Sequence, residues 1–364
     1  MEQAMMALAY LFVFLPIVVM VVGHELGFQW GSLILFFVIL PVLRTVTGDL
    51  DKEPPLWTEF WSKFLAALPL GYSGVFVLFF LWVIVELGAG RPASTLDRVG
   101  FVSGLLLTFA LASCVAHELV HRKKVWHRRM GHLLTALGGY PFFGYEHIAH
   151  HASPRDHEKA HCPRVDESIW SFAFRRSIAA PFEAVSWAAA ARARSVNPSV
   201  FDSIWFWTAV SASSLVTMTM VGGLYGAATF ATLAIALPLL MNMMVYLQHW
   251  GLGTDNGVDE SPREQFGWED SCRSQAWLTL NIAMHSQHHQ RPGAPYYRIG
   301  AGGGGPVAPS GYALMLLIAF FPPLWYRLMM PRLQGWINNP QGQEGAGKRL
   351  YCLRINTAAE PPAG

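Results

Sequence analysis

Apolar residues gather into long runs with no polar face, and charged, Gly- or Pro-containing segments close each run. Six such runs stand at about 5–23, 29–47, 64–87, 98–116, 203–222 and 225–247. About 20 apolar residues at 1.5 Å per residue span the roughly 30 Å hydrocarbon core of a bilayer. The pattern therefore predicts an all-α membrane protein with about six transmembrane helices. The first run has no basic segment before it and no small-residue cleavage site after it, so it reads as a span rather than a signal peptide. Pro54–Pro55 ends any helix in the DLDKEPP loop, and Gly222–Gly223 reads as the turn between the last two spans. The run at 312–330 is broken by Pro322–Pro323 and carries Arg327, which predicts a helix packed at the interface rather than a seventh span.

This punctuation divides the chain. Residues 1–116 read as a four-span membrane region, 117–202 as a polar stretch and 203–250 as a two-span hairpin. Residues 251–337 form a second polar stretch with the interfacial helix, and 338–364 a Gly/Pro/Gln-rich, disordered tail. Basic residues set the orientation. HRKKVWHRRM follows the fourth span, and Arg44, Lys52 and Lys63 lie in or beside the loop between spans two and three. The loops on the other side are short or nearly neutral. Both polar stretches and both termini are therefore expected on the cytoplasmic side of the inner membrane, where they would form a histidine-rich helical cap.

Composition supports a membrane protein over a large soluble core. Hydrophobic residues make up 52% and charged residues only 14%, where a soluble domain carries about a quarter charged. A net charge of +2 gives no reason to expect nucleic acid as a partner. The four cysteines (Cys114, Cys162, Cys272 and Cys352) include no CxxC pair, which excludes a rubredoxin-like or zinc-ribbon module within the chain. Cys114 lies inside a span and reads as a small apolar residue.

The candidate chemistry lies in histidine. Nine of the fourteen fall in four clusters at or near the ends of apolar stretches: His117 and His121 in HELVH, His147, His150 and His151 in HIAHH, His249 in LQHWG, and His285, His288 and His289 in HSQHH. Residues three or four apart share a helix face, so their imidazoles can reach one ion, whereas adjacent histidines point about 100° apart and can feed two. Nine ligands are too many for one ion and suit two, with four or five imidazoles each. HELVH also matches a zinc-protease signature, but that reading leaves seven histidines unexplained. A transporter would place charge in mid-span, and these spans carry almost none. His24 lies at the opposite face and is not expected to bind metal. His127 and His132 read as surface or docking residues, and His157 and His161 as surface residues or as supports behind the ligands. Glu146, Asp156, Glu158, Asp166 and Asn281 are candidates for holding the imidazoles from behind.

Imidazole alone leaves iron, copper and zinc open. The four clusters resemble the histidine boxes of the integral-membrane di-iron monooxygenases, the alkane 1-monooxygenase and xylene monooxygenase family, and more distantly those of membrane fatty-acid desaturases. The resemblance runs from about residue 98 to 337 and rests on HELVHRKK, EHIAHH, YLQHWGL, NIAMHSQHH and FPPLWYRLMMPRL. It implies that all nine box histidines bind two Fe ions and that O2 and two electrons hydroxylate an unactivated C–H bond. The implied substrate is a lipophilic alkane, alkyl or methyl-aromatic compound. It also implies a separate electron carrier, a rubredoxin or ferredoxin with its reductase, for which the basic segment Arg122–Arg129 offers a surface. The substrate would be held in a tunnel between the spans, and Trp30, Phe36, Phe37, Phe76 and Phe80 of spans two and three read either as its lining or as lipid-facing residues. Two departures stand out: HIAHH has two residues before its HH pair rather than three, a desaturase-like spacing, and Glu269 stands where the family has Asn. The alternatives are therefore a fatty-acyl desaturase or alkene-forming decarboxylase, and, outside enzymes, a metal-binding membrane protein.

Overall fold

The computed structural model describes residues 2–154, 156–157, 159, 161–195, 199–253, 267–302 and 304–338. The disordered-tail expectation, apart from Asn338, and the candidate Glu158 lie outside these residues. The described residues build an all-helical protein: α1 (Glu2–Glu25), α2 (Gly31–Val46), α3 (Glu59–Gly88), α4 (Thr95–Val120), α5 (Val125–Leu137), α6 (Phe143–Ala152), α7 (Ile169–Ala193), α8 (Ile204–His249), α9 (Arg273–Thr279), α10 (His285–Gln290), α11 (Tyr312–Ala319) and α12 (Pro322–Asn338). Four helices (α1, α3, α4 and α8) are long and apolar enough to cross a membrane, while α2 is a shorter apolar helix. The protein is a multi-pass membrane protein.

α8 is two helices folded back at the Gly222–Gly223 turn. Gly223 has φ 58° and ψ −143°, which breaks the helix there and which side chains rarely tolerate. Gly226 lies against the Met218 carbonyl, although a straight helix would hold residues eight apart about 12 Å from each other. The turn packs against Leu87 and Gly88 at the end of α3. Ser94 caps α4 by accepting from the Asp97 amide at 3.1 Å, so α4 starts at the same end as that turn and runs back toward His117.

α1, α3 and α4 and the α8 hairpin share one apolar core, in which Phe76 meets Phe109 edge-on at 5.0 Å. Gly104 on α4 lets α1 and α2 approach, because a Cβ there would meet Met20 Sδ and Ser32. A second core gathers Phe172, Tyr246, Trp250, Trp325, Met329 and Leu333 around the end of α8. The 312–330 region is not one helix: it breaks at Phe320–Phe321 just before Pro322, giving α11 and α12.

Candidate metal centre

Every histidine box stands at one end of this bundle. His117 lies in the last turn of α4 and His121 caps its end. His147, His150 and His151 lie on α6, His249 ends α8, and His285, His288 and His289 lie on α10. The nine form two groups, each with ligand atoms within 4.8 Å of one another: His117, His121, His147, His151 and His288, and His150, His249, His285 and His289. Pairs four apart stay together, and adjacent pairs split. α6 gives two imidazoles to the first group and one to the second, and α10 gives one and two.

The nitrogens are spaced as ligands. In the first group His121 and His147 Nε2 are 2.8 Å apart, His151 and His147 3.0 Å, and His288 and His151 2.9 Å. In the second, His150 and His249 Nε2 are 3.1 Å apart, His285 and His249 2.8 Å, and His289 and His285 3.0 Å. A neutral imidazole nitrogen carries one proton or one lone pair, so two neighbours at His147 or His249 cannot both be satisfied by hydrogen bonds. A cation satisfies them all. At metal–nitrogen distances of about 2.1 Å, right-angled ligands stand about 3.0 Å apart and tetrahedral ones about 3.4 Å. The observed spacing fits right angles, and five donors exceed the four that tetrahedral zinc takes. Burial and the neighbouring rings push His147, His150, His151, His285, His288 and His289 well below the ordinary histidine range, and burial pushes His121 down to about 4. The rings therefore stay neutral, as ligands must.

The polar side chains around the boxes have partners of their own. Glu146 is buried and accepts from the Tyr140 hydroxyl; burial raises its carboxyl, against the Arg176 charge. Glu118, between the two α4 histidines, pairs with Arg122 and accepts from the Tyr296 amide at 3.2 Å. Asp156 folds its loop by accepting from the Lys159 amide at 3.0 Å, and its carbonyl accepts from the His161 amide at 2.9 Å. Asn281 donates to the Tyr296 and Ile299 carbonyls, both at 2.9 Å, and so ties down the turn before His285. Asp166 is exposed, its carbonyl accepting from Tyr326. Glu269 is more than a departure from the family pattern: it accepts from the Gln287 amide at 3.2 Å near the start of α10, where a carboxylate suits the exposed amides of a helix. Burial pushes its carboxyl up to about 7.

The remaining histidines belong to neither group. His24 sits at the far end, 3.0 Å from Glu86 and 3.1 Å from Gln29. His157 and His161 are buried rather than at the surface: the loop folds inward, and His161 Nε2 meets Glu183 at 2.5 Å while its ring lies 5.5 Å from His150. The surface reading also fails for His132, whose ring is enclosed between Tyr145 and Trp207. In the basic segment Arg122 pairs with Glu118 and Arg129 with Asp202, while Lys123 and Lys124 are exposed.

A cavity of about 100 Å³ opens beside both groups, lined by His117, His147, His150 and His285 and by Phe36, Leu40, Leu111, Leu240, Met244 and Leu278. Polar side chains in its wall are engaged, Gln248 with Tyr312 at 3.1 Å and Asn242 with Ser177 behind it at 2.9 Å, and the wall is mostly apolar. Of the residues expected to line a tunnel only Phe36 does so. Phe76 and Phe80 pack on Phe109 in the core, and Trp30 lies against Gly100. The cavity lies between α4 and the second arm of α8, a face that an all-apolar run does not reveal. Arg176, also in its wall, was not anticipated. The available signal was its place in the buried stripe with Ala180, Ala184 and Ala188.

Comparison with known proteins agrees with the boxes. The chain is 25% identical to Alkane 1-monooxygenase 2 of Alcanivorax borkumensis, over 86% of each chain. It is 29% identical to Alkane 1-monooxygenase 2 of Pseudomonas aeruginosa, over 85% of each. It is 26% identical to the Xylene/toluene monooxygenase hydroxylase component XylM of Pseudomonas putida, over 89% of this chain and 86% of that one. The resemblance read from the boxes is thereby borne out, and with it the expectation of an oxidoreductase of the monooxygenase type. The fatty acid desaturase family pattern matches residues 93–302, more than half of the chain and all nine box histidines. The chain belongs to the fatty acid desaturase family.

Proposed function

We propose that this protein is a membrane-bound non-haem di-iron monooxygenase that hydroxylates an unactivated C–H bond, at a terminal methyl, of an alkane, alkyl or methyl-aromatic substrate. One observation carries the reading: a mostly apolar cavity has imidazoles of both histidine groups in its wall. The names of the relatives support the same substrate classes. His117, His121, His147, His151 and His288 would hold one iron, and His150, His249, His285 and His289 the other. When bound, the irons supply dioxygen activation, with one oxygen atom going to the product and the other leaving as water for two electrons and two protons. The chain's own part is positional. Leu111, Leu240 and Leu278 exclude water and hold a C–H bond beside His117 and His150, and Glu269 and Asn281 keep α10 in register.

Six crossings, the fourth and sixth ending in histidine boxes, complete the proposal. The basic loops support a cytoplasmic active site at the inner membrane. Exposed Lys123 and Lys124 would steer an acidic electron carrier, a rubredoxin or ferredoxin served by a reductase.

Purified protein should carry about two irons and, with an electron-transfer system and ¹⁸O2, incorporate label into a hydroxylated product. A metal content of one, or of zinc, sinks the di-iron assignment. A new double bond without label would instead establish the desaturase reading, and full iron without any turnover a metal-binding role.

A further inference from the structure

The polar stretch between the fourth and fifth spans contains α7, whose outward face is apolar. Trp170 is 41% exposed, Phe174 56%, Ile178 67% and Phe182 73%, at a spacing of four along one side of the helix. No charge interrupts this stripe. Arg175 turns aside to pair with Glu167 at 2.8 Å, Arg176 is buried, and Glu183 meets His161.

Contacts with α8 set the direction of α7. Just before α7, the Glu167 carbonyl accepts from Tyr246 near the end of the second arm, while Ala184 and Ala188 pack on Ile204 at the start of the first. Both arm ends lie at the histidine end of the bundle, so α7 runs across the mouth of the hairpin, close to the membrane plane. Midway, Ser177 accepts from Asn242 at 2.9 Å, seven residues before His249 and therefore about 10 Å toward the bilayer from the metal-binding level. The stripe continues into other exposed apolar residues. Trp170 stacks on Phe320 at 5.0 Å, beside exposed Phe321 and Leu324. Arg192 and Arg194, at the end of α7, are exposed.

We propose that α7 lies in the membrane interface, with Trp170, Phe174, Ile178 and Phe182 in the acyl chains of the leaflet next to the metal centre and Arg192 and Arg194 among its headgroups. Uncharged apolar stripes of this kind bind bilayers in plane, and this one is continuous with the lipid-facing surface of the spans. α7 thereby fixes the depth of the part of the cavity wall that Arg176 lines.

The test is spin labelling of Phe174→Cys, Ile178→Cys and Phe182→Cys in full-length protein in lipid nanodiscs, with collision rates measured for oxygen and a water-soluble nickel chelate. All three labels should collide with oxygen and be shielded from nickel, while a label at exposed Lys124, outside the stripe, should meet nickel more often. Nickel access at 174, 178 and 182 would overturn the proposal and mark an aqueous docking face; shielding from both reagents would overturn it in favour of a protein contact. A phospholipid with a photoreactive acyl chain checks unsubstituted protein: besides those on the spans, adducts should form within 170–182, and their absence there refutes the placement.

Discussion

Removing His150 and His151 separately distinguishes two neighbours in the chain that would serve different metals. His150 stands in the four-membered group with His249, His285 and His289, and His151 in the five-membered one. His150→Ala therefore leaves three imidazoles at one ion, whereas His151→Ala leaves four at the other. A four-ligand zinc site binds with about 10–16 kcal/mol, or about 3 kcal/mol per ligand, which is roughly two orders of magnitude in affinity. The protein is dialysed against chelators of graded strength and its metal measured by mass spectrometry. His150→Ala should fall from two metals to about one at a chelator strength where His151→Ala still holds close to two. The double variant His150→Ala/His289→Ala, with both changes in one group, should keep about one metal because the five-imidazole group is untouched. Equal losses from the two single variants at every chelator strength, or complete loss from that double variant, would refute the division of the boxes.

Other substitutions probe other links. Ala110→Phe puts a ring into the cavity wall; product formation should fall at least tenfold with iron content unchanged, and equal loss of iron would show a folding defect instead. Glu269→Ala removes the carboxylate near the start of α10, so thermal stability should fall by about 1 kcal/mol and α10 should exchange its amide hydrogens faster. His132 gives a pH dependence. Burial holds its ring neutral down to about 4, while the unfolded chain takes up a proton below about 6.5. Its contribution is therefore complete above pH 6.5 and lost as pH falls toward 4, by at most about 3 kcal/mol. His132→Phe should flatten the melting-temperature profile over that window relative to the parent, and parallel profiles would exclude His132 as the source.

How much of this centre the chain reveals depends on the kind of periodicity involved. The pairing of His117 with His121, and the split between His150 and His151, follow from helical geometry once those segments are taken as helices, and the structure brings the rings together in that arrangement. The cavity is hidden for the opposite reason. Spans that are apolar all round carry no angular signal, so Phe76, which faces the core, and Phe36, which faces the cavity, look alike in sequence. Arg175 and Arg176 show where the missing information sits. Their identities are the same, yet one pairs at the surface with Glu167 and the other enters the cavity wall, because only Arg176 falls in register with Ala180, Ala184 and Ala188. That register makes α7 two-faced, with small residues packed inward and Trp170, Phe174, Ile178 and Phe182 left outward. A charge balance over 117–202 averages those faces and reads the whole stretch as polar. The membrane contact of α7 thus depends on the phase of its residues rather than on their number, and phase becomes readable only once contacts to α8 fix which side is buried.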